Sequence, residues 1–159
     1  MLGILLVALQ FWPPRPKLPR SKQWQQLAHP QTLIDDRPVA FGTYAPQNFD
    51  GAFRGQLPVE KALQLSLNIP VILLMEEIGP AHLIDVMNRA GANPKLPGDG
   101  PAGLAIALGG LGVTLSDMVQ LYAMLPNGGR ARPLHWQRDD VQPQGAQVLS
   151  PVSAWQVSD

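Results

Sequence analysis

Proline and glycine set the scale of everything this chain can build. The 159 residues contain 17 Pro and 15 Gly, spread along the whole length. A proline cannot continue a helix interior or donate to a sheet ladder, and glycine marks turns and helix stops. Long helices and broad regular strands are therefore excluded, and many loops with short elements are expected. The 45% hydrophobic content still suffices for one core, and 15% charged residues do not suggest wholesale disorder. Twelve basic against twelve acidic residues give zero formal charge, so no nucleic acid or acidic polymer is indicated as partner. There is no cysteine, which rules out disulfides and thiolate metal sites.

Read between the breakers, the chain yields these elements. Residues 29–58 are loop-rich, with turn formers at Asp35-Asp36, Gly42, Pro46, Asn48 and Asp50-Gly51. Phe41, Tyr44, Phe49 and Phe53 are expected to pin that segment by burying their rings. Pro58 with Glu60 predicts a helix start and a short helix over 58–67. Asn68-Ile69-Pro70 is expected to break it, because the residue before proline is pushed out of the helical region. A second helix is expected over Pro70–Ile78 and a third over about 80–90, with Leu83, Val86, Met87 and Ala90 as its apolar stripe. Residues 92–103 form a Pro/Gly loop, and 104–108 a short apolar piece. Thr114 with Asp117 predicts a capping box, opening a helix striped by Met118, Leu121, Tyr122 and Leu125. The tail reads as polar loop, with short strands around 131–136 and 146–149.

The N-terminus stands apart. Met1 to Trp12 is apolar, short of the roughly 20 residues that span a bilayer as a helix, and Pro13-Pro14-Arg15-Pro16 ends the run. No basic residue precedes it, as one would in a signal peptide. Arg15, Lys17, Arg20 and Lys22 follow it, a placement that would retain the rest in the cytoplasm.

Ser66-Leu67-Asn68 is the segment that carries chemistry. Alone, an S-x-N triplet arises by chance about as often as not, and Asn68 capping a helix while Ser66 faces solvent is an equally ordinary account. Its surroundings are more specific. The runs P-Q-N-F-D-G-A-F-R-G (46–55), V-E-K-A-L-Q-L-S-L-N-I-P (59–70) and G-L-A-I-A-L-G-G-L-G-V-T-L-S-D-M-V-Q-L-Y-A-M-L-P-N-G-G (103–129) occur in this order. Together they resemble the transpeptidase domain of penicillin-binding proteins, and the N-F-D-G-x-F-R-G wording most resembles the 1C branch of the bifunctional class A members. The resemblance covers roughly 28–133.

That resemblance implies an α+β class, here a mostly helical middle fragment of the penicillin-binding/serine β-lactamase-like transpeptidase fold with the central sheet largely missing. It implies peptidoglycan cross-linking through an acyl-serine enzyme, with the peptidoglycan stem peptide and β-lactams as partners, no cofactor, and a place outside the cytoplasmic membrane. In such enzymes S-x-x-K supplies the nucleophile, S-x-N a second hydroxyl and an amide, and K-T-G a strand edge. Ser66 and Asn68 are carried over as that second motif, the hydroxyl relaying a proton and the amide orienting substrate.

The other two motifs do not occur. None of Ser21, Ser66, Ser116, Ser150, Ser153 and Ser158 has lysine three positions on, and no K-T-G exists among Lys17, Lys22, Lys61 and Lys95. Without the nucleophile the remaining groups only assist an attack that does not happen. The expected organisation is an apolar and basic leader at 1–27 not matching the family, a partial transpeptidase domain at 28–133, and a loop-rich truncated segment at 134–159. A replaced or frame-shifted leader accounts for the first part, and membrane contact through 1–12 is the alternative. The chain is expected to be inactive alone. A non-catalytic module binding peptidoglycan or a partner is the competing account. With the sheet missing, the stripes at 83–90 and 118–125 are expected to stay partly exposed and the fold to be marginal. His29, His82 and His135 lack metal-ligand spacing. Asp35-Asp36, Glu76-Glu77 and Asp139-Asp140 read as solvated charge, and Gly109-Gly110 and Gly128-Gly129 as turns.

Overall fold

A computed structural model describes residues 30–135, 137 and 144–158. The leader at 1–27, His29 and Asp139-Asp140 lie outside the described residues. The described part is mixed α/β, with two small antiparallel sheets and short helices.

Strand β1 (Leu33–Asp36) pairs antiparallel with β2 (Gly55–Pro58), Ile34 opposite Leu57. Side chains alternate across a strand, so Ile34 and Asp36 turn inward while Leu33 and Asp35 face out. Three helices follow: α1 (Val59–Gln64), α2 (Asn68–Ile78) and α3 (Pro80–Arg89). A 3-10 helix covers Leu104–Leu108, and α4 covers Leu115–Ala123. Strands β3 (Arg130–Ala131) and β4 (Ala146–Gln147) pair, and α5 (Pro151–Ser158) closes the described chain.

Helix α2 organises the rest. Ile69, Pro70, Val71, Ile72, Leu74 and Met75 are all buried, as expected of a helix that is apolar around its circumference. Two hydrophobic clusters form around it. Val71 and Met75 face a large one with Leu83, Val86 and Met87 of α3, Ile106 and Ala107 of the 3-10 helix, and Leu121 of α4. Leu74 faces a smaller one with Ile34, Leu57, Val59, Ala62 and Leu67. Val157 of α5 packs against both.

Several expectations change here. The stripe at 83–90 is not exposed: Leu83, Val86, Met87 and Ala90 are all buried, each large side chain contributing about 1.5–3 kcal/mol. The stripe at 118–125 does stay partly exposed: Leu121 is buried, with Met124 beside it, while Met118, Tyr122 and Leu125 are half-buried. Among the described residues there is no large sheet; the 3-10 helix and α3 pack against α2 instead, and Leu121 of α4 joins the same cluster. Of the four rings expected to pin residues 41–53, Phe49 is 102% exposed and Phe53 38%, while Phe41 and Tyr44 are half-buried. The second helix begins at Asn68, not Pro70, because proline is tolerated in a first turn where its missing N–H would be unpaired anyway. The tail is not all loop: 151–158 is helix α5, and the strands expected at 131–136 and 146–149 are only two residues each. The capping box forms as expected. The Asp117 N–H donates to Thr114 Oγ1 at 3.1 Å, and the Thr114 N–H to Asp117 Oδ2 at 2.9 Å.

Candidate functional site

The corner between α1 and α2 is built from both sides. At its start, the first N–H groups of α1 would be unpaired without outside acceptors. The carbonyls of Thr32 and Pro30 take the N–H groups of Val59 (2.9 Å) and Glu60 (3.0 Å), which locks the helix to the segment that leads into β1. At its end, Ser66 donates its N–H to Leu63 O and Leu67 to Ala62 O, both at 3.0 Å. This nested pair is a Schellman motif, whose turning residue takes the left-handed conformation and is usually glycine.

Here that residue is Ser66, at φ 53°. It is the one non-glycine with positive φ among the described residues. The same nested bonding occurs three times more, after α3, the 3-10 helix and α4, and there the turning residues are Gly91 (φ 84°), Gly109 (φ 101°) and Gly128 (φ 63°). A side chain in this region costs on the order of 1–3 kcal/mol. Ser66 is exposed, and its hydroxyl has no hydrogen-bond partner among the described residues. Leu67 is 3% exposed and anchors the corner in the smaller cluster.

Asn68 then opens α2. Its amide Nδ2 donates to the carbonyl of Gln47 at 2.8 Å. Its own N–H and that of Ile69 donate to Asn48 Oδ1 at 2.9 and 3.3 Å, and Pro70 has no N–H to satisfy. The ordinary account, in which Asn68 caps a helix with its side chain, does not apply: α2 has no side-chain cap from its own N-cap residue, and Asn48 supplies the acceptor from twenty residues away. Ser66 and Asn68 thus present a free hydroxyl and a partly engaged amide on either side of buried Leu67.

The loop that carries Gln47 has its own fastening. Asp36, expected as solvated charge, is fully buried. It accepts the Asn48 Nδ2 at 2.7 Å and the Arg54 N–H at 2.8 Å. Asp50 and Arg54 pair at 2.5 Å on the surface, and the Arg54 bond, followed by that from the Ala52 N–H, holds the Asp50 carboxyl below its ordinary value. Behind the corner lies a small aliphatic notch between Ile34, Val59, Leu63 and Leu74, which offers no polar group to a ligand. No group of three or more His, Cys, Asp and Glu among the described residues is placed to hold a metal ion.

Chemically, the corner can donate and accept hydrogen bonds. Activating a hydroxyl for attack needs a neighbouring base, and no S-x-x-K supplies one in the sequence.

The sequence matches the family described as the penicillin-binding protein transpeptidase domain over residues 24–159. This chain belongs to that transpeptidase family. Among its relatives is penicillin-binding protein 1C of Escherichia coli (strain K12), 36% identical over 114 residues, covering 72% of this chain and 15% of that protein. Penicillin-binding protein 1B of Vibrio cholerae is 30% identical over 118 residues, again 15% of its length. The chain thus spans a small part of the penicillin-binding proteins it matches. In three dimensions it resembles the PonA1 protein from Mycobacterium tuberculosis, solved in complex with penicillin V. The TM-score is 0.72 at 22% identity, with 98% of this chain and 43% of that chain covered, which shows a shared fold. No helix of the described residues is long and apolar enough to cross a membrane.

Proposed function

We propose that this chain is the second-motif region of a D-alanyl-D-alanine transpeptidase of peptidoglycan synthesis, in which Ser66 and Asn68 meet the stem-peptide terminus or the β-lactam that mimics it. The observation that carries this reading is Ser66 itself. It occupies a left-handed turn where the chain elsewhere places glycine, it exposes an unengaged hydroxyl, and it lies two residues from Asn68. A strained polar residue that no packing requires is the signature of a functional position.

By itself the chain does not acylate. Covalent transfer needs a nucleophile with a base beside it, and neither S-x-x-K nor K-T-G is present in the sequence. What remains is reversible recognition, with the hydroxyl and the Asn68 amide as the polar contacts. By family likeness this takes place on the outer side of the cytoplasmic membrane. The buried state of Leu83, Val86 and Met87 favours a second reading, a self-standing non-catalytic module that holds peptidoglycan.

A fluorescent penicillin incubated with the purified 159-residue chain tests the first point: no covalent label is expected, and a label surviving denaturation overturns the inactivity. Amide spectra recorded with millimolar penicillin V test recognition. Shifts confined to 63–70 and lost in Ser66→Ala and Asn68→Ala support it, and an unchanged spectrum sinks it. Shifts with soluble muropeptides distinguish the binding module from an inert remnant.

A further inference from the structure

We propose that Asn48, braced by the buried carboxylate of Asp36, is the positioning residue that fixes Asn68 at the candidate site. Its consequence for ligand binding rests on the reading of Ser66 and Asn68 given above.

Asn48 is only 5% exposed, and every hydrogen-bonding capacity of its side chain is used. Oδ1 accepts the N–H groups of Asn68 (2.9 Å) and Ile69 (3.3 Å). Nδ2 donates to Asp36 Oδ1 (2.7 Å) and to Ala52 O (2.8 Å). The second oxygen of Asp36 is taken by the Arg54 N–H at 2.8 Å. One amide therefore links the end of β1, the 46–54 loop and the first turn of α2. The residue before it adds a further hold, because Gln47 O receives the Asn68 side-chain amide at 2.8 Å. Asn68 is thus gripped at its backbone by Asn48 and at its side chain by the adjoining peptide. Gln47 O occupies one hydrogen of the amide and sets which way its free oxygen points.

Only asparagine fits this place. Aspartate lacks the donors and would set a second carboxylate against Asp36 at bonding distance, where like charges repel. Alanine leaves two helix N–H groups and one oxygen of the buried Asp36 carboxylate without their partners, and each such loss is costly. The negative charge of Asp36 strengthens the bond from Nδ2, and bonds in a chain polarise one another, so the Oδ1 end becomes a better acceptor for the helix start.

The test uses the full chain and amide hydrogen exchange, with rates at Asn68 and Ile69 expressed relative to those at Leu74 and Met75 in the same helix. Asn48→Asp is expected to raise the relative rate at Asn68 and Ile69 by roughly five- to tenfold, the effect of losing an N-terminal cap. The exchanged pair Asn48→Asp with Asp36→Asn restores slow exchange. In it the new amide at 36 donates to the carboxylate at 48, which still accepts Asn68 and Ile69, and the Ala52 carbonyl, having lost the Nδ2 donor, keeps the Arg54 guanidinium that reaches it at 3.3 Å. An unchanged relative rate in Asn48→Asp overturns the proposal, and so does fast exchange at both positions in the exchanged pair. Should Asn48→Asp fail to fold, the exchanged pair alone decides: folded with both amides protected supports the role, unfolded or unprotected refutes it. Penicillin V titration of variants matched in Tm adds a readout that general stability does not move, with the Asn48→Asp response falling as far as that of Asn68→Ala. If the unmodified chain shows no response to penicillin V, the ligand reading of Ser66 and Asn68 fails, while the hold on Asn68 is still judged by exchange alone.

Discussion

Ser66 is the residue at which local stability and the proposed chemical use pull apart. Glycine at the same turn would relieve the left-handed conformation without disturbing the nested hydrogen bonds to Leu63 and Ala62. Ser66→Gly is therefore expected to stabilise the chain by about 0.5–1 kcal/mol, read as a higher urea midpoint at constant slope, while removing the hydroxyl from the corner. A lower midpoint would mean that the serine side chain makes a contact that outweighs its strain. Asp117 makes a second residue-scale case. The Thr114 hydroxyl, followed by the Thr114 N–H, holds its carboxyl below the ordinary value. A depressed carboxyl in the folded state contributes stability above the unfolded value near 3.9, and that contribution is lost as pH falls through the folded one. In Thr114→Ala the Asp117 titration, followed by its side-chain carbon shift, is expected to move up toward the ordinary value. Loss of the cap should cost about 1 kcal/mol.

Among the elements, the turn after α4 tolerates little change. Gly129 has φ 79°, and a Cβ there would lie within 2.3 Å of the Leu149 carbonyl oxygen. That carbonyl cannot retreat, because Gly129 O accepts the N–H groups of Val148 and Leu149 at 2.9 and 3.0 Å. Gly129→Ala is expected to destabilise by roughly 2–4 kcal/mol, with the loss of protection largest at Val148 and Leu149. Elements marked by their own residues were legible in the sequence: the capping box of Thr114 and Asp117, the stripe of α3, and the glycine stops. Helix α5 was not, because its polarity is inverted. Val152 and Trp155 face solvent while Ser153 and Ala154 are buried, so an apolar stripe misleads. The usable signal was Ser150 before Pro151, a capping hydroxyl that accepts the Ser153 N–H at 3.0 Å followed by a first-turn proline. Ser66 and Asn68 were singled out through motif context. Asp36 and Asn48 were hidden because their partners lie twelve to twenty-one residues away and no local pattern records such a meeting.

For the whole molecule, the shared helix makes the two hydrophobic clusters one cooperative body. Met75 is fully buried in the larger cluster, Leu74 beside it sits in the smaller, and Val157 touches both. Met75→Ala is expected to cost about 2–5 kcal/mol. A single shared transition should fall by the same amount whether followed by far-ultraviolet circular dichroism or by amide signals of Ile34 and Val86. Two separate midpoints would show that the clusters melt independently.

From Ile69 to Met75, helix α2 buries every side chain but Leu73, which is half-buried. Partial openings of the molecule will therefore begin elsewhere, at frayed strands and loop tips, and reach this helix last. Asn68 stands at its first turn, so the proposed recognition corner is mounted on the most durable piece of the fold, and its shape should outlast the loosening of almost everything around it.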